Sequence, residues 1–205
     1  MGLAKPHPFV TLPEYRAMEA ASEVRLEYVD GEVFAMAGGR RWHNHIGSGF
    51  VGELRGALKG CGCYAYGSDM KVHVQPGAEF YPDALVVCRP VTFPEGDDCA
   101  VTNPVVIVEV LSPSTAVWDL TGKRERYATL ASLQHYLVAH ADAWQVHHYR
   151  RNTDGSWRVT LHGAGDTIDL DAVGVKLSVD AVYAGVEDVG GPGRDVKLVG
   201  PGVSA

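Results

Sequence analysis

The stretch PVVIVEVL, residues 104–111, is a nearly unbroken run of valine, isoleucine and leucine that contains one glutamate, Glu109. A run of this length and β-branched composition is typical of a strand that is buried on both faces, in the middle of a sheet. A carboxylate in such a strand loses its hydration and must be compensated by a cation, a proton or hydrogen-bond donors. Whatever surrounds Glu109 therefore matters to both the fold and the function.

The rest of the chain alternates between helical and strand patterns. Thr11 can cap a helix over Pro13–Ala21, and Asp30-Gly31 between two alternating runs predicts a β-hairpin. Apolar residues at every fourth position from Ile46 to Leu58 predict a second helix, and capping residues from Ser112 onward predict a third. Further strands are predicted over residues 64–74, 80–88, 134–141, 143–151 and 156–163. The pattern predicts a mixed α/β domain with a central β-sheet flanked by helices.

Length and composition favour one domain. The chain has 205 residues, and we expect a single domain over residues 1–186, followed by a flexible Gly/Pro-rich tail over 187–205. No apolar run approaches the length of a membrane span and no leader is recognisable, so we expect a cytoplasmic protein without a membrane partner.

The four cysteines, Cys61, Cys63, Cys88 and Cys99, lack the spacing of a zinc site. We expect them to be reduced structural thiols.

A second carboxylate, that of Asp83, also lies next to an apolar strand. Asp83 comes directly after Pro82, at the entry to the apolar run ALVVC. If the two strands are neighbours, both carboxylates meet at one point, where like charges need a cation or a proton between them. Hard oxygen ligands favour Mg²⁺ or Mn²⁺ over Zn²⁺. We therefore expect Asp83 and Glu109 to lie within reach of one metal ion.

These residues carry a resemblance to the Uma2 family of restriction-endonuclease-like proteins. The matching features are Pro82-Asp83, the stretch VEVLSPST at 108–115, the helix with Lys123 and Tyr127, and the hairpin EYVDGE at 27–32. The similarity extends over residues 11–186. It implies the restriction-endonuclease-like fold of the PD-(D/E)xK superfamily, in which a Pro-Asp is followed by Asp/Glu-x-Lys.

One position departs from that motif, because Leu111 stands where the lysine is expected. The resemblance implies that Lys123, on the next helix, replaces it, with its ammonium close to both carboxylates. It further implies that Asp83, Glu109 and the carbonyl oxygen of Val110 hold Mg²⁺ or Mn²⁺. Lys123 would orient or deprotonate the attacking water and offset negative charge, and Glu27 would bind a metal-bound water or a second ion.

The implied activity is magnesium-dependent endonucleolytic cleavage of DNA. His43, Arg41 and Tyr127 are candidates for substrate binding, and a homodimer is expected because cutting both strands of a duplex commonly uses two active sites. The net charge of −7 opposes binding of a polyanion unless basic residues cluster. The candidates for such a cluster are Arg40, Arg41, Lys71, Lys123, Arg124 and Arg126.

Each assignment has an alternative. Asp83 can be a turn residue, Glu109 can form a structural ion pair with Lys123, and Lys123 can belong to a solvated helix face. His43 and Tyr127 can simply be packing residues. The alternatives for the whole protein are a metal-dependent hydrolase of RNA or smaller phosphoesters and a non-catalytic binding or assembly module. Basic candidates that line one cleft would favour the nuclease, and scattered ones would favour the module.

Overall fold

The computed structural model describes residues 9–36, 38–112 and 116–196. The chain begins with helix α1 (Leu12–Ala20), which starts at Thr11 as predicted. Thr11 accepts from the Glu14 amide and the Glu14 carboxylate accepts from the Thr11 amide, which is a capping box. The predicted hairpin follows as β1 (Leu26–Val29) and β2 (Glu32–Ala35). Asp30 and Gly31 both have positive φ, as a type I′ turn requires.

Helix α2 (Arg41–Ala57) carries the predicted apolar face. Ile46, Phe50 and Leu54 are fully buried, one turn apart along the helix. Gly49 lies where α2 meets the C-terminal part of the chain, and a Cβ there would come 2.2 Å from the carbonyl oxygen of Val182. No helix among the described ranges is long and apolar enough to cross a membrane.

A mixed sheet of six strands forms the centre of the molecule, in the order β11-β10-β9-β8-β6-β3. The PVVIVEVL stretch is its strand β8 (Pro104–Leu111), which pairs antiparallel with β6 and parallel with β9. The prediction of a central, buried strand is thereby confirmed. The other strands are β3 (Cys63–Gly67), β6 (Ala84–Cys88), β9 (His135–His140), β10 (Gln145–Arg151) and β11 (Trp157–Gly163).

A second sheet of five strands lies beside the first, in the order β2-β1-β5-β4-β7. Its further strands are β4 (Lys71–Val74), β5 (Ala78–Phe80) and β7 (Ala100–Val101). The runs 64–74 and 80–88, which we predicted to pair, do so through β3 and β6. The second half of the first run, β4, pairs instead with β5, of which only Phe80 belongs to the second run. The first run breaks between Gly67 and Lys71, so its two halves lie in different sheets.

The predicted helix after Ser112 is irregular. It consists of α3 (Ala116–Trp118), a π-helical segment (Asp119–Lys123) and α4 (Arg124–Tyr127). The capping residues predicted at Ser114 and Thr115 lie outside the described residues. Among the elements that were not predicted are strand β7, the hairpin β12 (Thr167–Leu170) and β13 (Val175–Ser178), and helix α5 (Val179–Tyr183).

Alternate residues of β8 lie on opposite faces of the six-stranded sheet and pack into two separate hydrophobic cores. Val108 packs into a cluster with α2, α5 and the β12-β13 hairpin on one face of the six-stranded sheet. Ile107 packs into a cluster with Phe80 and Tyr127 on the other face, where the five-stranded sheet and α4 lie. The mixed α/β class with flanking helices is confirmed, and the second sheet covers part of one face.

Two expectations differ from the structure. Cys63 and Cys88 stand opposite each other in β3 and β6 and form a disulfide, so the prediction of four reduced thiols is wrong for this pair. The chain also keeps contact with the domain beyond Val186. The Trp144 indole N–H donates to the carbonyl of Pro192, and Arg194 pairs with Asp180. The expected tail over 187–205 therefore does not begin at Glu187, and residues 197–205 lie outside the described ranges.

The close contact at Gly49 gives a stability prediction. Gly49→Ala should lower the free energy of unfolding by about 1–3 kcal/mol, since the new methyl group meets backbone that must move. Gly52→Ala is the matched control on the same helix: nothing lies within 4 Å of its Cβ position, and alanine should add about 0.5–1 kcal/mol there. Urea denaturation of both variants checks this, and equal stabilities would show that α5 does not pack against Gly49.

Candidate metal and active site

The candidate site lies where the chain passes from one sheet to the other. Strand β5 ends at Phe80 and β6 begins at Ala84, so residues 81–83 connect the sheets. The backbone N–H of Tyr81 donates to Glu27 Oε1 of β1 at 3.1 Å. Two residues later, Asp83 Oδ2 accepts from the backbone N–H of Val110 of β8 at 2.7 Å. This short connection therefore binds a carboxylate of the five-stranded sheet and supplies a carboxylate to a backbone N–H of the six-stranded sheet.

Glu109 is 4% exposed. Lys123 Nζ donates to its Oε1 at 3.3 Å, and the Tyr127 hydroxyl donates to the same oxygen at 3.0 Å. Burial raises the pKa of Glu109 well above its ordinary value, opposed by Lys123 and reinforced by Asp119, Asp83 and Glu27. Glu109 is therefore paired with Lys123, but this pairing does not offset the effect of burial on the pKa of Glu109.

Lys123 reaches the site from the π-helical segment. Its ammonium lies 3.0 Å from Glu27 Oε1, 3.3 Å from Glu109 Oε1 and 3.8 Å from Asp119 Oδ1. Burial lowers the pKa of Lys123, but Glu109, Glu27 and Asp119 outweigh it, and the net shift is upward. Lys123 is thus a permanently charged side chain, buried rather than part of a solvated face.

The sequence analysis missed Asp119. Its side chain is 3% exposed and lies on the same face as Lys123, four residues away. The i,i+4 spacing of an acid and a lysine was the available signal, but the segment was expected to be ordinary helix. In the structure it is π-helical, and a Cβ on Gly122 would come 1.9 Å from the Trp118 ring. Gly122 therefore leaves room for the Trp118 ring to pack against this turn.

Asp83 and Glu109 occupy opposing positions at the end of the β6-β8 ladder. Ala84 pairs with Val108 in that antiparallel register, which puts Asp83 opposite Glu109. Burial raises the pKa of Asp83, although His43, the Val110 N–H and Lys123 act in the opposite direction. The two carboxylates are therefore neighbours in the fold, and both are less acidic than in an unfolded chain.

Within the described residues, the side chains around Asp83 and Glu109 do not form a complete set of metal ligands. In the described part of the chain, the one group of three or more His, Cys, Asp or Glu residues with ligand atoms within 4.8 Å of one another is Asp97, Asp98 and Cys99. Among the described residues, Asp83 and Glu109 therefore do not belong to such a group. The expectation that one ion reaches both carboxylates stays a prediction.

The donor set nevertheless fits Mg²⁺ or Mn²⁺. Four carboxylates, Glu27, Asp83, Glu109 and Asp119, act on one another around a single lysine. That leaves an excess of negative charge among oxygen ligands, which hard divalent cations prefer. Among the described residues, Lys123 and Tyr127 both donate to Glu109 Oε1, so a cation at Oε2 would displace neither of these two donors.

A family model described as "Putative restriction endonuclease", Uma2, matches residues 12–181. The chain belongs to the Uma2 family. Two relatives from Synechocystis sp. (strain ATCC 27184 / PCC 6803 / Kazusa) are similar over most of their length. "Uncharacterized protein slr1290" is 32% identical over 88% of this chain and 95% of its own, and "Uncharacterized protein sll1609" is 31% identical over 74% and 86%.

A solved structure shares the fold. It is described as "a putative nuclease belonging to DUF820" from Anabaena variabilis ATCC 29413, with a TM-score of 0.67 over 80% of this chain and 93% of that chain. The sequences are 16% identical, so the likeness concerns the fold alone. The Uma2 match and this structure together confirm the resemblance and the fold class that the sequence predicted.

The three candidates for substrate binding in this Uma2 protein differ in position. Tyr127 is fully buried beneath Glu109, so it cannot contact a substrate, and that prediction is wrong. Arg41 is exposed and donates to the Val189 carbonyl, and its role stays a prediction. His43 lies at the site itself, with its Nε2 2.8 Å from the carbonyl oxygen of Val110.

The basic candidates for a phosphate track do not share one cleft. Lys71 is buried between Glu19 and Glu79, Arg126 pairs with Asp30, and Lys123 lies among the carboxylates. The other three are held elsewhere: Arg40 over Trp42, Arg41 on Val189 and Arg124 over Tyr149. This scatter favours the alternatives to duplex DNA cleavage.

A groove opens beside Asp83. It has a volume of about 680 Å³ and runs between α2 and the turn that joins β3 to β4. Gly47, Ser48 and Gly52 line it on the helix side, and Tyr66 lines it on the sheet side. The small helix residues keep this path beside the carboxylates open.

A second buried glutamate, Glu79, provides the comparison for Glu109. Its side chain is fully buried and contacts Lys71 at 2.9 Å, Arg16 at 2.7 Å and His73 at 3.0 Å. Burial acts to raise its pKa, but hydrogen bonds from His73, Lys71 and Arg16 outweigh it and lower the pKa to about 2. Glu79 is a fully compensated carboxylate in the same protein.

We predict that Glu109→Gln leaves the stability of the metal-free protein unchanged or raises it. The raised pKa means that ionised Glu109 costs stability above the unfolded value of about 4.5, and the cost disappears below it. Glutamine removes the charge and keeps an oxygen for Tyr127. Thermal melts in EDTA at neutral pH measure the effect.

Glu79→Gln is the matched control. This change leaves Lys71 and Arg16 without their buried anionic partner. It should lower the free energy of unfolding by about 3–5 kcal/mol at neutral pH. The stability that Glu79 contributes is present above about pH 4.5 and is lost as the pH falls towards about 2. A loss of about 3–5 kcal/mol in Glu109→Gln as well would mean that Glu109 is half of a structural ion pair.

Proposed function

We propose that this Uma2 protein is a metal-dependent endonuclease that hydrolyses phosphodiester bonds of DNA. The observation that carries the proposal is the excess of carboxylates at the sheet junction, where one lysine contacts the buried Glu109 and Asp119 and the partly buried Glu27, with the partly buried Asp83 nearby. An arrangement that raises the pKa of two of them is costly to stability, and such groups cluster at functional sites.

The residues that would hold the ion are Asp83, Glu109 and the Val110 carbonyl. When bound, Mg²⁺ or Mn²⁺ would lower the pKa of a water molecule and neutralise a phosphate oxygen. Tyr127 fixes the Glu109 carboxylate from the buried side. The Val110 N–H fixes Asp83 in the same way. These two donors keep both carboxylates oriented without adding charge.

Lys123 acts through its charge. Burial acts to lower the pKa of Lys123, but Glu109, Glu27 and Asp119 raise it while no ion is bound. A divalent cation would neutralise the same carboxylates, so Lys123 would orient or deprotonate the attacking water and offset developing negative charge. Hydrolysis consumes one water, whose oxygen joins the phosphorus while one ester oxygen leaves and takes up a proton.

The scattered basic residues favour a second candidate. An acidic protein without a continuous cationic track binds a long polyanion poorly. RNA, a smaller phosphoester or a non-catalytic binding role is therefore the alternative. The groove beside Asp83 admits a single strand or a short phosphoester, with Tyr66 as a ring on which a base can stack. A homodimer would supply two sites to a duplex and belongs to the proposal.

The direct test is a cleavage assay with Mg²⁺ or Mn²⁺ on supercoiled plasmid, single-stranded DNA and RNA. Asp83→Ala and Glu109→Ala should abolish cleavage, and Lys123→Ala should reduce it strongly, because the first two remove metal ligands and the third removes charge stabilisation.

Binding of the nucleic acid should weaken as the salt concentration rises, and Ca²⁺ should support binding without cleavage. Asp98→Ala, in the separate exposed acidic group, should keep full activity. Cleavage that survives Glu109→Ala would point to another site, and no cleavage of any substrate would favour the non-catalytic module.

The groove gives a second test. Gly52→Leu should place a side chain in the groove, reduce cleavage by at least about tenfold and leave metal binding unchanged. Gly56→Leu is the matched control on α2, since nothing lies within 4 Å of either Cβ position and Gly56 does not line the groove. Cleavage rates and melting temperatures of the pair are compared. Equal rates in the two variants would mean that the substrate does not pass through this groove.

A further inference from the structure

His43 reaches the site from the first turn of α2. Its Nε2 lies 2.8 Å from the carbonyl oxygen of Val110 and 3.7 Å from Asp83 Oδ2. Those two oxygens are among the atoms that the proposed function assigns to the metal ion. The ring is 15% exposed and is thus held in place beside them.

We propose that His43 Nε2 is itself a ligand of the metal ion, together with Asp83 and the Val110 carbonyl. The proposal rests on the proposed metal-dependent function and adds a nitrogen donor to its oxygen ligands. It also changes the expected ion: imidazole is a poor ligand for Mg²⁺ and a better one for Mn²⁺, so the site should prefer Mn²⁺.

The distances support this assignment. Ligands bound at about 2.1 Å to an octahedral ion lie about 3.0 Å apart when they are adjacent. The 2.8 Å and 3.7 Å separations from Nε2 lie on either side of that value. Small rotations of the ring and the Asp83 carboxylate would therefore bring three donors around one ion, without movement of the backbone.

The proton of the ring has a defined position before and after binding. Without an ion, Nε2 carries the proton, since it faces a carbonyl oxygen that can only accept. Ligation needs the lone pair of Nε2, so the proton moves to Nδ1 and the ring stays neutral. Nδ1 is buried and has no hydrogen-bond partner among the described residues, so its N–H would need a water molecule or a small shift of a neighbouring acceptor when the ion binds.

The competing explanation is that His43 only ties α2 to β8. His45 provides the comparison, because it lies on the same helix and its Nε2 contacts the Ala184 carbonyl at the same distance, 2.8 Å. Within the described ranges, no carboxylate oxygen lies within 4.0 Å of the His45 ring, whereas Asp83 lies that close to His43. A purely structural role would make the two histidines equivalent.

The experiment is pulsed electron paramagnetic resonance of Mn²⁺ bound to the full chain, which detects imidazole ¹⁴N coupled to the ion. We expect the coupling in the wild type and in His45→Gln and its absence in His43→Gln. Glutamine keeps an N–H for the Val110 carbonyl, so the structural link survives the change. Calorimetric titrations should show Mn²⁺ affinity falling at least about tenfold in His43→Gln, with a smaller loss for Mg²⁺.

The outcomes separate the two proposals. If Mn²⁺ binds with no imidazole coupling, or the coupling persists in His43→Gln, His43 is not a ligand and the metal-dependent function stands. If the wild type binds neither Mn²⁺ nor Mg²⁺, the proposed function fails and this inference fails with it. Should His43→Gln not fold, the spectra of the wild type and His45→Gln decide: absence of coupling overturns the inference, and coupling in both supports it.

Discussion

The ammonium of Lys123 is the charge on which the junction of the two sheets depends. Glu27 comes from the five-stranded sheet and Glu109 from the six-stranded sheet, and Lys123 lies within 3.3 Å of both. Without a cation between them, two buried carboxylates could not both stay ionised. The short connection over residues 81–83 contacts both sheets, because the Tyr81 N–H donates to Glu27 of β1 and the Asp83 carboxylate accepts from the Val110 N–H of β8.

The protein contains a second buried glutamate, and the contrast between the two explains what is unusual about the first. Glu79 has Lys71, Arg16 and His73 around it, and its pKa is lowered to about 2. Glu109 shares one lysine with other carboxylates, and its pKa is raised. Both glutamates are buried, and Glu79 has three basic partners where Glu109 has one, which acts in the direction of the two opposite pKa shifts. The cations around Glu79 stabilise its ionised form, whereas the carboxylates around Glu109 outnumber the one lysine that they share.

The features that could be predicted from sequence are those set by local residues or by strong periodicity. The Asp30-Gly31 turn, the face of α2 and the buried strand around Glu109 belong to this class, and Asp83 opposite Glu109 follows from two apolar strands that meet. The position of Asp119 in the site and the burial of Lys71 were not predicted, although the i,i+4 spacing of Asp119 and Lys123 was visible in the sequence. The first depends on a π-helical turn, and the second on contacts with Glu19 and Glu79 from distant parts of the chain.

The ion-pair and metal-ligand interpretations of Glu109 are compatible. Lys123 and Tyr127 both donate to Oε1, and those two bonds keep the carboxylate in the strand without satisfying its charge. The ion pair that the structural alternative predicts is therefore present. It supplies one positive charge where four carboxylates act on one another. The lysine allows the site to fold before an ion arrives, and the remaining negative charge is what would attract a divalent cation.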